Sequence, residues 1–369
     1  MSSIEPYKTA KGEKRWRVRY RKPDHSSTDK RGFKRKRDAE DFLARLTAGL
    51  NDGSYIDPQK GRVTIAALGP EWLKGKSAVL KPSSYHALEV SWNKWVKPQW
   101  GRRAIQGIRK SEIQTWVSEI ASERSASIVL RAHGVLGGIL EMAKNDGMIR
   151  ANPAEGLDLP RKKAKPRHYL DAQQVIDLAN ECGEYRPLVL VLGFCGLRWG
   201  EAIGLVNDDI DFAKNRIHVR RSATRVAGKV VVGSPKSGKG REVPMPRIVA
   251  ESLQEACKGK HSDELVFTSP QGGYVKQQSN DRRHRGWFHK ALDKLGIPPM
   301  TVHDLRHTAA SIAVHNGANV KVLQRMLGHA SAAMTLDRYA DLFDKDLDDV
   351  FGSLDAEVST IMQHAQRVD

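Results

Sequence analysis

The chain has 369 residues, 28% of them charged, with 61 Lys and Arg against 43 Asp and Glu and a formal net charge of +18. That length allows about two or three domains with ample core, and so large a positive excess points to a polyanionic partner, nucleic acid before membrane. No signal peptide precedes the first charged residues, no apolar run approaches the ~18 residues needed to span a bilayer, and Cys182, Cys195 and Cys257 form no CxxC, so an intracellular, cytoplasmic protein with reduced thiols is expected.

Residues 1–60 read as a small basic unit. Through Arg15-Trp16-Arg17-Val18-Arg19-Tyr20-Arg21 the alternation has period two, so a strand puts Arg15, Arg17, Arg19 and Arg21 on one face and Trp16, Val18 and Tyr20 on the other. A turn from Pro23 to Asp29 leads to a second basic strand near Gly32 to Arg35, and Asp38 to Leu50 has helical spacing at Phe42, Leu43 and Leu46. A sheet with an arginine face backed by one helix could lie in a DNA groove and contact phosphates; the competing reading is a solvated charged edge strand. Gly53 to Arg62 is turn-rich and reads as a linker.

Residues 63–157 read as a helical domain, with helices at Thr64 to Lys74, Ser83 to Lys97, Lys110 to Ser122 and Ala126 to Asn145. Trp92, Trp95, Ile113, Trp116 and Val117 fall at core spacing, and Gly69-Pro70 is expected to interrupt the first helix. Asn152-Pro153 stops the last one. Residues 158–168 then form a proline-flanked basic tether whose Lys162, Lys163 and Lys165 either lie against phosphate or keep the linker extended.

Residues 169–369 make the last domain. Asp171 begins a helix, and Pro187 to Phe194 is apolar enough for a buried one. Arg198 follows it, and taken alone would pair with Glu201 at i+3. Asn207 to Val243 is strand-like, a small antiparallel sheet with a flexible hairpin carrying Lys236 and Lys239. Such a lysine is either a mobile tip or an acid able to protonate a departing alkoxide.

The densest chemistry lies between Thr301 and Asp341. His303, Arg306 and His329 can all donate to an anion, and Tyr339 follows them without a carboxylate cluster nearby. Attack on a phosphodiester places charge on the non-bridging oxygens, which preorganised donors must meet; arginine does so with a planar fork whose charge is independent of pH. A tyrosine hydroxyl, with a pKa of about 10, needs a base or cationic surroundings to attack. The segment reads as two short helices broken at Asn316-Gly317, with Val322, Leu323, Met326 and Leu327 as a buried stripe, and a third helix capped by Ser331 or Thr335 that carries Tyr339. His303 and His307 also have metal spacing, but no third ligand stands nearby and Arg306 would crowd a cation, so no metal is expected. The acidic tail repeats Val350, Leu354, Val358 and Met362 at every fourth position, a stripe that should pack on protein, in cis or on a neighbouring protomer.

The run H-x-x-R, L-G-H-x-S, T-x-x-x-Y, filled by His303, Arg306, Leu327-Gly328-His329, Ser331, Thr335 and Tyr339, resembles the C-terminal signature of the tyrosine recombinases, the family of phage integrases and related site-specific DNA recombinases. G-L-R-x-G-E-x-x-x-L from Gly196 to Leu205 resembles the family's first arginine motif, which implies a catalytic Arg198 supported by Glu201. P-K-S followed by R-x-V-P resembles its lysine hairpin, implying Lys236 as the acid, with Lys239 as rival. The implied fold is multidomain α+β: an arm-type DNA-binding domain of small sheet plus helix, an all-α core-binding domain, and a mainly α catalytic domain with a small antiparallel sheet. The implied activity is integration and excision of a mobile genome through a 3′-phosphotyrosyl intermediate made by Tyr339, without cofactor, with Arg198, Arg306 and His329 stabilising the transition state and His303 as base or donor. The implied partners are double-stranded DNA at core-type and arm-type sites, three further copies of the chain in a tetramer, a host DNA-bending protein and a directionality factor, and no membrane. The alternatives are a cellular or transposon-encoded recombinase, or a DNA-binding architectural protein whose catalytic set no longer works.

Overall fold

The computed structural model of the chain describes residues 2–22, 25–51, 60–162, 168–236, 238–278, 285–343 and 346–365. Contacts divide the chain into two compact units, Met1–Ala164 and Lys165–Asp369.

In the first unit β1 (Ser3–Lys8), β2 (Lys14–Arg21) and β3 (Ser27–Phe33) form an antiparallel sheet with β2 in the middle. β2 is the expected arginine strand. β1 carries a proline, Pro6, which an edge strand tolerates because its outer side donates no ladder bond; the sequence reading missed it. The second basic strand runs from Ser27 to Phe33 rather than from Gly32 to Arg35, and at its end Phe33 packs on Phe42 of α1 (Lys36–Asn51), ring centroids 5.4 Å apart. Val18 and Tyr20 turn inward with Ala39 and Leu46 of that helix, as the alternation requires. The arginine face is partly neutralised from within: Glu5 on β1 takes Arg17 at 2.6 Å and Arg19 at 3.6 Å, and Arg15 meets Glu13.

The helices of this unit are α2 (Ile65–Val79), α3 (Pro82–Ser91), α4 (Lys97–Trp100), α5 (Lys110–Glu123) and α6 (Ala126–Asn145), with a wider π turn at Trp92–Val96. The expected interruption at Gly69-Pro70 does not occur. α2 runs through both residues, with Pro70 on its exposed side and Gly69 against the Trp92 ring, which a Cβ would overlap at 2.1 Å. α6 supplies the buried Val129, Ala132, Val135, Leu136, Ile139 and Leu140. It is also long and apolar enough to cross a membrane by length and composition, contrary to the expectation of no such run. Its apolar residues are the core stripe of this unit.

In the second unit Asp171 caps α7 (Ala172–Glu181), accepting from the Gln174 backbone at 2.8 Å while the Gln174 side chain accepts from Asp171 N at 3.0 Å. α8 (Arg186–Cys195) is buried from Leu188 to Gly193 and again at Cys195. α9 (Trp199–Ala202) leads to β4 (Ile210–Asp211) and β5 (Arg216–Val219), then to the hairpin of β6 (Ser222–Val226) and β7 (Lys229–Gly233), and then to β8 (Arg241–Pro244), which pairs antiparallel with β5. The helices after it are α10 (Arg247–Cys257), α11 (Trp287–Lys294), α12 (Asp304–His315), α13 (Val320–Leu327), α14 (Ala332–Phe343) and α15 (Asp346–Ala365). α8 packs along α7, α10 and α12 and is the centre of the core. All three cysteines are buried free thiols there. The stripe expected on α13 holds at Leu323 and Leu327, but Val322 faces outward. On α15 Phe351, Leu354, Val358 and Met362 are all exposed.

Candidate active site

Three backbone carbonyls at the C-terminal end of α13 organise the site. The last carbonyls of a helix have no partner within it and carry its negative dipole end. Here each accepts from a different guanidinium: Met326 O from Arg241 Nε at 3.0 Å, Leu327 O from Arg306 Nη2 at 2.6 Å, and Gly328 O from Arg198 Nη2 at 3.1 Å. Gly328 caps the helix at φ 64°, a left-handed conformation that turns its carbonyl outward. Gly196 ends α8 in the same way at φ 63°, and its carbonyl accepts from Arg306 Nη1. The glycines of G-L-R and L-G-H thus both present carbonyls to arginines.

Glu201 joins two of these cations. Its carboxylate, wholly buried, accepts from Arg198 Nη1 at 2.7 Å, from the Arg198 backbone N at 2.9 Å, and from Arg241 Nη1 and Nη2 at 3.1 and 2.8 Å. Burial alone would raise the Glu201 carboxyl, but the hydrogen bonds and charge of Arg241, then those of Arg198, more than reverse it and bring it down to about 2. The i+3 pair read from the sequence is therefore present, as one arm of a larger network that holds both arginines in place. Arg306 is 2% exposed, and burial followed by Arg198 pushes its pKa down, while it stays a cation at neutral pH. Three arginines face one carboxylate, an excess of positive charge poised for an anion.

The remaining groups come from α12 and α14. His303 stands at the N-cap of α12, after a turn in which Asp304 accepts from Thr301 N and Oγ1 at 2.6 and 2.8 Å. Desolvation, then Arg306, lowers its pKa. One turn on, His307 is buried between His303 and Tyr339, and its Nδ1 lies 2.8 Å from the Tyr339 hydroxyl. Tyr339 is fully buried, and α14 departs from helical geometry at that residue, φ −136° and ψ 16°. The His329 ring stacks on it with centroids 6.2 Å apart and 12° between planes. His329 Nδ1 in turn lies 3.0 Å from Thr335 Oγ1, a hydroxyl with no exposure. Desolvation, then Arg306 and Arg198, pushes His329 down to about 4, so the ring is neutral at pH 7. Ser331 is the residue that caps α14, accepting from Met334 N at 3.2 Å.

Arg198, Glu201, His303, Arg306, His329 and Tyr339 are thus one cluster. Lys236 is not part of it: it lies exposed between β7 and β8, without a hydrogen bond or ion pair to the arginines among the described residues. Arg15, Arg17, Arg19 and Arg21 belong to the first unit, where β2 carries them. Lys162 is exposed, and Lys163 and Lys165 lie outside the described residues. Three members of the site were not singled out as such in the sequence. Arg241 is the arginine of R-x-V-P, His307 stood only as a rejected metal ligand, and Thr335 as a candidate cap and the threonine of T-x-x-x-Y, without a role at the site.

Residues 168–346 match the model of the phage integrase family. The chain is 26% identical over 321 residues to the integrase of Mycobacterium phage L5, covering 82% of this chain and 84% of that one. It is 24% identical over 348 residues to a XerC-like tyrosine recombinase of Caldanaerobacter subterraneus, covering 85% and 87%. Among solved structures, the Tn1549 transposon integrase in complex with a circular-intermediate DNA superposes with a TM-score of 0.65 at 22% identity, over 78% of this chain and 99% of that one. A lambda integrase dimer bound to a core site gives 0.59 at 17% identity, over 90% and 93%. These two structures share the fold.

Proposed function

We propose, on the premise that residues 168–346 match the phage integrase family, the tyrosine recombinases, that the chain is the integrase of a phage or related mobile element. Its substrate is double-stranded DNA at attachment sites. Tyr339 Oη attacks the scissile phosphorus, the bond to the 5′ oxygen breaks, and a 3′-phosphotyrosyl link forms with release of a 5′-hydroxyl. The link conserves the phosphodiester energy, so the 5′-hydroxyl of a partner strand reverses the attack and rejoins the DNA with no cofactor.

The observation that carries this reading is the meeting of Arg198 with Arg306 and His329, each more than a hundred residues from it in the chain, at the end of α13 beside the buried Tyr339. The two arginines would hold the non-bridging oxygens, His329 would add a donor, and His303 would act as base or further donor. Lys236 is assigned as the acid for the 5′ oxygen through its place in the hairpin motif; from its exposed position it would have to close onto the DNA. Tyr339 must likewise leave its seat beside His307 to reach a phosphate, and the kink of α14 lies at the residue that moves. The arginine face of β2, with Arg15, Arg17, Arg19 and Arg21, and the tether at Lys162, Lys163 and Lys165 would engage phosphates, β2 at arm-type sites. Four copies would assemble on paired core sites, with the uncovered stripe of α15 docked on a neighbour. A host DNA-bending protein and a directionality factor fit this scheme, which places the work at the nucleoid of the bacterial cytoplasm.

The test begins with a pool of nicked duplexes of random core sequence, incubated with the full chain in the presence of chelator and then denatured. DNA covalently bound to protein is recovered, and the linked residue is mapped. A chelator-resistant adduct at Tyr339, absent in Tyr339→Phe, is expected. Arg198→Ala should slow adduct formation about 10²–10³-fold, as loss of other oxyanion donors does. An Arg198→Ala rate near wild type would sink the role of that arginine. Tight binding to the pool without any adduct would favour a non-catalytic architectural protein.

A further inference from the structure

In the DNA-free chain burial and the neighbouring arginines keep His329 neutral at pH 7, so its ring carries one N–H, and which nitrogen holds it decides whether the open edge of the ring donates or accepts. The fold resolves the choice. Thr335 Oγ1 is wholly buried and 3.0 Å from Nδ1, and among the described residues it has no other hydrogen-bond partner. Were Nδ1 protonated, it would donate to Oγ1 and leave the hydroxyl hydrogen buried without an acceptor, which is costly. With Nδ1 unprotonated, the hydroxyl donates to it and every group of the pair is satisfied. The ring is fixed in other ways too: Gln324 binds the His329 backbone on both sides, its carbonyl accepting from His329 N at 3.1 Å and its Nε2 donating to His329 O at 3.2 Å, while Tyr339 covers one ring face. Nε2 makes no hydrogen bond to any described residue.

We propose that Thr335 is a positioning residue that holds His329 in the Nε2–H tautomer, so that the ring meets the scissile phosphate as a hydrogen-bond donor and not as a base. Thr335 touches neither DNA nor the nucleophile in this role; it acts through His329. The assignment deepens the recombinase reading and rests on it for the word phosphate, but the tautomer itself is a property of the DNA-free chain.

The experiment is nitrogen-15 NMR of the full chain labelled at its histidines, at pH 7 without DNA, with the His329 ring signals identified by their loss in His329→Gln. The expected wild-type pattern is an unprotonated Nδ1 shifted by an accepted hydrogen bond and a protonated Nε2. Thr335→Val, which keeps the shape and removes the hydroxyl, should lose that shift and raise the Nδ1–H population at least several-fold; Thr335→Ser should restore the wild-type pattern. A wild-type ring protonated on Nδ1, or Thr335→Val with unchanged ring signals, would overturn the proposal. With a duplex captured by the wild-type chain, Thr335→Val should cleave about tenfold or more slowly and Thr335→Ser near the wild-type rate; equal rates for all three would overturn the link from tautomer to chemistry. If the wild-type chain captures no duplex, the functional reading fails while the NMR result still decides the tautomer.

Discussion

At the scale of single residues, the site is a set of ionisable groups held in chosen states by their neighbours. His329 is depressed from 6.5 to about 4 by desolvation and by Arg306 and Arg198. As pH falls below about 6.5 the unfolded chain takes up this proton and the folded chain does not. The contribution to stability is therefore full above that pH and is lost progressively towards 4. Glu201, lowered from 4.5 to about 2, gives a second loss of the same sign at lower pH, between those two values. Urea unfolding followed from pH 7 to 4.5 should show wild type losing stability more steeply than His329→Gln, which lacks the first component; parallel curves would contradict the assigned shift. Glu201→Gln at pH 7 should cost about 3 kcal/mol or more of unfolding free energy, because it leaves Arg198 and Arg241 facing each other without their shared anion.

At the scale of elements, the end of α13 is the part on which the rest depends. Carbonyls at Met326, Leu327 and Gly328 each hold an arginine, and they diverge because Gly328 turns the chain into the left-handed region. Alanine there is strained by about 1–2 kcal/mol, and its Cβ would lie 2.8 Å from Arg241 Cδ. Gly328→Ala should therefore leave a folded protein with a modestly lower Tm whose rate of covalent adduct formation falls ten- to a hundredfold, as Arg198 and Arg241 lose their registry. An adduct rate equal to wild type would show that the carbonyl contacts do not position the arginines. α14 shows the same dependence of function on local geometry: its kink at Tyr339 keeps the hydroxyl on His307, away from solvent.

At the scale of the whole molecule, α15 leaves apolar side chains uncovered among the described residues. Phe351, Leu354, Val358 and Met362 expose a continuous apolar stripe on an acidic helix that DNA would repel. Replacing Leu354 and Val358 together by Glu should leave Tm within about 1 °C of wild type, since neither side chain is buried in the single chain. Assembly of four copies on captured DNA, measured by mass photometry, should fall severalfold, with single-site binding preserved. Unchanged assembly would return α15 to the role of a solvated tail.

The sequence alone determined what depends on near neighbours and on composition. The alternation of β2 specified its inward Val18 and Tyr20, the apolar run before Gly196 specified α8 as a core helix, and Asp171 with Gln174 specified a capped helix start. The spacing of His303, Arg306, His329 and Tyr339 pointed to chemistry on an anion, because residues on adjacent short helices stay close however those helices pack. What crosses long stretches of chain was decided only in three dimensions. Arg241 joins Glu201 from 40 residues away and Met326 from 85, through a β-strand whose pairing no local pattern reveals. His307 and Thr335 have the same appearance in sequence as a spare ligand and a helix cap, and only packing turns one towards Tyr339 and the other towards His329. Helical propensity likewise predicted a break at Gly69-Pro70 that the seat for Trp92 overrode. Hydrogen bonds and charges act over a few ångströms of space, and the sequence sets that distance only where the chain is short between the two groups.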